Sequence, residues 1–184
     1  MIELLVAVTV VSILVIALAF QFTGWQGGYN IESQMKQLHT DLMNARAMAM
    51  QRTRVHFVIF AATQYSLYDD TNPPPDGNRT LEVASDRRVV QRSLGPQYPI
   101  TWSVMATPTI AFTQRGIARD VLADMSVSTS EAFADKTFCA NPADTSLNPD
   151  NDCIILTATR ISLGKLTTKI SDGGACDTAN CVAR

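Results

Sequence analysis

A chain of 184 residues, 46% of them hydrophobic and 17% charged, is long enough for one domain to bury its own core. Its formal charge of −2 gives no global reason to expect a nucleic-acid partner or an acidic surface as substrate. With two histidines and no Gly-x-Ser-x-Gly, phosphate loop or metal-ligand cluster, neither catalysis nor a cofactor is expected.

The hydrophobicity is concentrated at the front. From Leu4 to Ile31 there is no Lys, Arg, Asp or Glu, and Leu4 to Phe22 is aliphatic or Phe apart from Thr9, Ser12 and Gln21. About 20 apolar residues span the hydrocarbon layer as a helix, the state in which a lone segment satisfies its own backbone in lipid. A cleavable secretory peptide needs a basic leading segment, whereas here the acid Glu3 stands at the start of the run. A carboxylate at the edge of a membrane helix is costly and is a functional candidate for that reason.

The segment Met1-Ile2-Glu3-Leu4-Leu5-Val6-Ala7-Val8-Thr9-Val10-Val11-Ser12-Ile13-Leu14 resembles the N-terminal segment of type IV pilins and pseudopilins, which reads Phe-Thr-Leu-Ile-Glu-Leu before an aliphatic run. The resemblance places Glu3 on the family's glutamate and Met1 on its third mature position. It implies that Glu3 pairs with the N-terminal amine of a neighbouring subunit during filament assembly, which would neutralise a charge held in lipid. The family's short basic leader, its glycine before the cleavage point and its methylated first residue are not in this chain. On this resemblance, either the sequence begins inside a precursor or its start is truncated or misplaced.

Residues 1–29 therefore read as a transmembrane helix and membrane-exit segment, and 30–184 as a head. Gly24, Gly27 and Gly28 each weaken a helix by roughly 1 kcal/mol relative to Ala, so a bend or fray is expected there. Trp25 and Tyr29 suit a membrane interface. A helical pattern over 30–53 sets Ile31, Met35, Leu38, Leu42, Ala45 and Ala49 on one apolar stripe, with Glu32, Lys36, Asp41, Arg46 and Arg52 largely off it. His39 beside that stripe and His56 in the first strand have packing roles.

Residues 54–184 read as β-rich. Arg54 to Phe60 and Gln64 to Tyr68 carry a hairpin pattern, and the run Asn72-Pro73-Pro74-Pro75-Asp76-Gly77-Asn78 must be a loop. Further strands are expected at Arg88 to Leu94, Ile100 to Val104, Thr109 to Thr113, Cys153 to Thr159 and Lys165 to Ile170. No helical pattern separates them, so the sheet should be mainly antiparallel and the fold class α+β. A long N-terminal helix, transmembrane in its first half and packed on such a head, is the pilin plan. Leu38-x-x-Asp41-Leu42-x-x-Ala45-Arg46-x-x-Ala49-x-x-Arg52, Ile110-Ala111-Phe112-Thr113-Gln114-Arg115-Gly116 and Cys153-Ile154-Ile155-Leu156 resemble the GspH/FimT group of minor subunits. Loops 72–86 and 120–152 match nothing in that group.

The resemblance implies a structural subunit that helps initiate or cap a type II secretion pseudopilus or a type IV pilus. Its partners would be other pilins or pseudopilins through the N-terminal helix, the bacterial inner membrane and the assembly platform. The head would lie in the periplasm. Some FimT-like proteins bind DNA during uptake, and Arg79, Arg87, Arg88 and Arg92 form the densest basic stretch for such a contact. Glu82 and Asp86 interleave with them and few aromatics stand by for stacking, so solvated strand positions are the stronger reading.

Four cysteines, Cys139, Cys153, Cys176 and Cys181, behind a membrane anchor point to an oxidising compartment and two disulfides with three pairings open. Sequence nearness favours Cys139 with Cys153 and Cys176 with Cys181. The acidic loops Asp69, Asp70, Asn72, Asp76 and Asp144, Asn148, Asp150, Asn151, Asp152 lack the spacing and turn glycine of an EF-hand, so solvated turns and no metal are expected.

Overall fold

The computed structural model describes residues 2–103 and 108–184, with the side chains at 2, 5 and 16–25 excepted. One helix, α1 (Ile2–Arg52), runs 51 residues, about 75 Å at the rise of an α-helix. It ends at Thr53, whose left-handed φ of 52° turns the chain into the first strand. Ten strands follow: β1 His56–Ala61, β2 Gln64–Asp69, β3 Arg87–Ser93, β4 Ile100–Trp102, β5 Thr109–Phe112, β6 Ala118–Asp120, β7 Lys136–Ala140, β8 Cys153–Leu156, β9 Ile161–Leu166 and β10 Cys181–Ala183. They form two five-stranded antiparallel sheets, ordered β3-β2-β1-β5-β6 and β10-β9-β8-β7-β4. The chain is thus α+β, a helix packed on antiparallel sheets.

The helix stripe makes the core. Ile31, Met35, Leu38, Leu42, Ala45 and Ala49 are all buried, and they meet Phe60, Tyr65 and Phe112 of the first sheet and Phe138, Ile154 and Leu156 of the second. Phe60 and Phe138 stack between the sheets with ring centroids 4.2 Å apart. Alanines at the C-terminal end of the stripe let the helix lie close to the strands, while each fully buried Leu contributes roughly 1.5–3 kcal/mol. The first sheet is covered on its far face too, where Val55, Phe57, Tyr68 and Ala111 pack with Leu81 and Val127. Burial on both faces is why β1, His-Phe-Val-Ile-Phe-Ala, shows no clean alternation.

Several expectations need correction. The helix passes through Gly24, Gly27 and Gly28 without interruption. Gly27 instead marks a close approach: a Cβ there would lie 2.6 Å from Leu147 Cδ2 of the loop before β8. Asp41, expected off the stripe, is buried. Expected strand 165–170 is shifted to β9, with a 3-10 turn at Ile170–Asp172, and 153–159 ends at Leu156. The strands β6, β7 and β10 were not anticipated. Val104, Met1 and the Trp25 side chain lie outside the described residues.

The cysteine pairing also differs. Cys139 bonds Cys176, with Cα atoms 5.9 Å apart, and Cys153 bonds Cys181 at 6.1 Å. Cys139 and Cys153 are register partners on β7 and β8, so their side chains stand side by side on one face of the sheet. Both reach the C-terminal tail that crosses this face, forming a small core with Leu166.

The expectation of a membrane span is not met by the described residues: among them no helix is long and apolar enough to cross a membrane. The apolar run behind that expectation continues into 16–22, where side chains are not described.

Candidate assembly site

Glu3 lies in the first turn of α1, where a carboxylate complements the helix dipole. Beyond it the helix shows Leu4, Val6, Val8, Val10, Val11, Ile13, Leu14 and Val15 to the outside, each more than half exposed. These positions cover well over half of the helix circumference, with Thr9 and Ser12 on the remainder, and none of them packs on the head. Thr9 Oγ1 donates to the Val6 carbonyl at 2.8 Å and Ser12 Oγ to the Val8 carbonyl at 2.7 Å. The hydroxyls are satisfied within the helix, so this stretch asks nothing of water beyond Glu3. A helix apolar over most of its circumference is stable only when something else surrounds it, either lipid or other helices.

From Gly27 onward the helix is held by the head. Leu147 fills the notch at Gly27, and Asn151 Nδ2 donates to Glu32 at 3.2 Å. Farther along, Asp41 accepts from Tyr65 Oη at 2.7 Å and from Gln37 Nε2 at 3.1 Å, and pairs with Arg92 Nε at 3.3 Å. Tyr65 and Arg92 face each other across β2 and β3, so one register position presents both donors to the helix. Burial, reinforced by the hydrogen bond to Asp41, pushes the Tyr65 phenol far above its ordinary value.

At the helix C-terminus, buried Asp69 pairs with Arg52 Nη1 at 2.8 Å and Arg87 Nη2 at 2.5 Å. His56 lies opposite Asp69 in the register, its Nε2 3.7 Å from Asp69 Oδ1, and neither atom has a hydrogen-bond partner among the described residues. Burial lowers the pKa of His56, so the ring is held neutral. Its neighbour Asp70 accepts the backbone N–H groups of Asn78 and Arg79 at 3.2 and 2.7 Å, and burial pushes its carboxyl up to about 6.

The four arginines singled out by their density in sequence do not form one free patch. Arg87 and Arg92 are committed to Asp69 and Asp41, Arg88 is exposed on the edge strand β3, and Arg79 lines a separate cleft with Arg115 and Arg119. Of the acidic loops, Asp69, Asp70 and Asp152 turn inward, Asp152 onto the Leu166 N–H at 2.6 Å, while Asp76, Asp144, Asn148 and Asp150 are exposed, Asp144 accepting from Ser146. Among the described residues no group of three His, Cys, Asp or Glu is placed to hold a metal. Sequence reasoning missed the Asp41 cluster, although an acid between Leu38 and Leu42 of the stripe was a visible signal. Comparison with protein-family models, curated proteins and solved structures finds no match.

Proposed function

We propose that the chain is a minor pilin or pseudopilin, a structural subunit that helps initiate or cap a type II secretion pseudopilus or a type IV pilus. The observation that carries this reading is a single continuous helix with two different halves. Residues from Gly27 to Arg52 are docked on the head, while between Leu4 and Val15 exposed aliphatic side chains cover well over half of the helix circumference, with Glu3 at the tip. In the inner membrane the first half, extended through 16–22, would sit in lipid. On assembly it would exchange lipid for neighbouring helices, with Glu3 meeting a partner's amine.

The head's role in this scheme is to be carried rigidly. Leu147 against Gly27, Asn151 on Glu32 and the Asp41 cluster fix the helix to the sheets along its docked half, so a displacement of the helix moves the head with it. The reading is tested by shearing filaments from cells that make them and probing the purified fraction for this chain. Recovery there supports the proposal; retention wholly in the membrane, with filaments present, contradicts it.

A further inference from the structure

Beside the C-terminal turns of α1 the head carries a cleft that the filament reading does not use. It has a volume of about 350 Å³, within the range of small-ligand sites. Its walls bring together Arg79 and, from the β5–β6 segment, Arg115 and Arg119, with Glu131 as the one acid among the described lining residues and buried Val55 beneath. In a chain of net charge −2, three guanidinium groups against one carboxylate make a local excess of positive charge.

Each arginine is placed by a specific backbone device. Arg115 sits in the turn between β5 and β6, closed by the Gly116 N–H on the Thr113 carbonyl at 2.8 Å. Gly116 has φ of 71° and backs onto the helix, where a Cβ would lie 2.7 Å from Met50 Sδ. Arg119 Nη1 donates to the carbonyls of Ser130 and Glu131 at 3.0 and 2.6 Å, which fixes the opposite wall. Arg79 is held at a left-handed φ of 64°, its N–H on Asp70 and its carbonyl accepting from the Val127 N–H at 2.9 Å. Strained backbone of this kind persists only where the surroundings over-determine it. Arg79 and Arg115 are exposed, and neither side chain has a hydrogen-bond or ion-pair partner among the described residues.

We propose that this cleft binds a compact polyanion, a ligand carrying two or more phosphate or carboxylate charges, through Arg79, Arg115 and Arg119. The two unpartnered guanidiniums supply charge-assisted hydrogen bonds, and Arg119, already anchored, supplies a fixed cation beside them. A ligand that fits within the cleft distinguishes this site from a surface that tracks a polymer backbone.

The test titrates the full chain in a nonionic detergent with inorganic tripolyphosphate and, separately, citrate, by calorimetry at low ionic strength. Saturable one-to-one binding is expected, weakened about tenfold or more by Arg79→Ala or Arg115→Ala, the scale of one lost charge-assisted hydrogen bond. It should be unchanged by Arg88→Ala, an exposed arginine off the cleft. Binding of tripolyphosphate alone assigns the site to phosphates, and binding of both probes assigns it to polyanions of either kind. Absence of saturation, or equal weakening by Arg88→Ala, overturns the proposal and leaves only diffuse electrostatics.

Discussion

Tyr65 donates its phenolic hydrogen to Asp41 at 2.7 Å, joining the second strand of the head to the buried side of the long helix. The bond places an acid in the core without leaving it unsatisfied, and it fixes the helix in rotation as well as in position. Tyr65→Phe removes the donor and keeps the ring. It should cost about 1–3 kcal/mol, the penalty of a buried acceptor left short of a partner. Arg92→Ala should cost less, because Arg92 is half exposed and its pairing is longer. Urea unfolding of the full chain in detergent measures both, and an equal or reversed order contradicts the assignment.

The two neighbouring glycines of the helix should respond with opposite sign. Alanine at Gly28 meets nothing nearer than Pro149 at 3.9 Å, so it should stabilise by up to roughly 1 kcal/mol through helix propensity. At Gly27 the new methyl runs into buried Leu147, beside a gap of only about 10 Å³ that cannot receive the displaced side chain. Gly27→Ala should therefore destabilise by about 1–3 kcal/mol despite the propensity gain. Adding Leu147→Ala should make the Gly27→Ala change favourable, which a double-mutant comparison of urea midpoints reads directly.

Asp70 and His56 give the head opposing pH dependences. The Asp70 carboxyl is raised from 3.8 to about 6, so between those values the folded chain holds a proton that the unfolded chain has released. Its contribution to stability falls as pH rises through that window, by on the order of 3 kcal/mol in all. Burial raises Asp152 as well and acts in the same direction. His56 is lowered from 6.5, so its contribution is lost as pH falls below that value. Unfolding midpoints at about pH 4, 5, 6 and 7 should show Asp70→Asn flattening the decline on the acid side. A wild-type-like slope in Asp70→Asn contradicts the assignment of that window to Asp70.

The disulfides are directly checkable. Cleavage before aspartate under non-reducing conditions cuts at Asp135, Asp144, Asp150, Asp152, Asp172 and Asp177 in this region and so separates all four cysteines. The expected linked pairs are peptide 135–143 with 172–176 and peptide 152–171 with 177–184. Each bond closes a span of 37 or 28 residues, worth about 4 kcal/mol in the chain-entropy model, so Cys176→Ser or Cys181→Ser should lower stability on that scale. Linkage of 135–143 to 152–171 contradicts the structure.

What could be read from the sequence was what depends on short-range pattern. The stripe from Ile31 to Ala49 and the first hairpin follow local periodicity, and both are where that periodicity puts them. The pairing of Cys139 and Cys153 with the tail was not legible, because chain distance says nothing about which segment lies across a sheet face. β7, Lys-Thr-Phe-Cys-Ala, hid for a related reason: it is buried throughout and opens on Lys136, which a partner on β6, Asp120, takes up at 2.5 Å. The cleft of Arg79, Arg115 and Arg119 joins positions up to 40 residues apart, whereas density along the chain grouped Arg79 with Arg87, Arg88 and Arg92, of which Arg87 and Arg92 are internally paired.

The most direct test of the filament reading is Glu3→Ala in cells that assemble the machine, scored by how much of the chain enters sheared filaments relative to the membrane fraction. The account predicts that incorporation is lost while the amount in the membrane is unchanged, since removing the charge leaves the apolar helix intact and deprives the subunit of its pairing group. Wild-type incorporation of Glu3→Ala would contradict the assembly role of this residue.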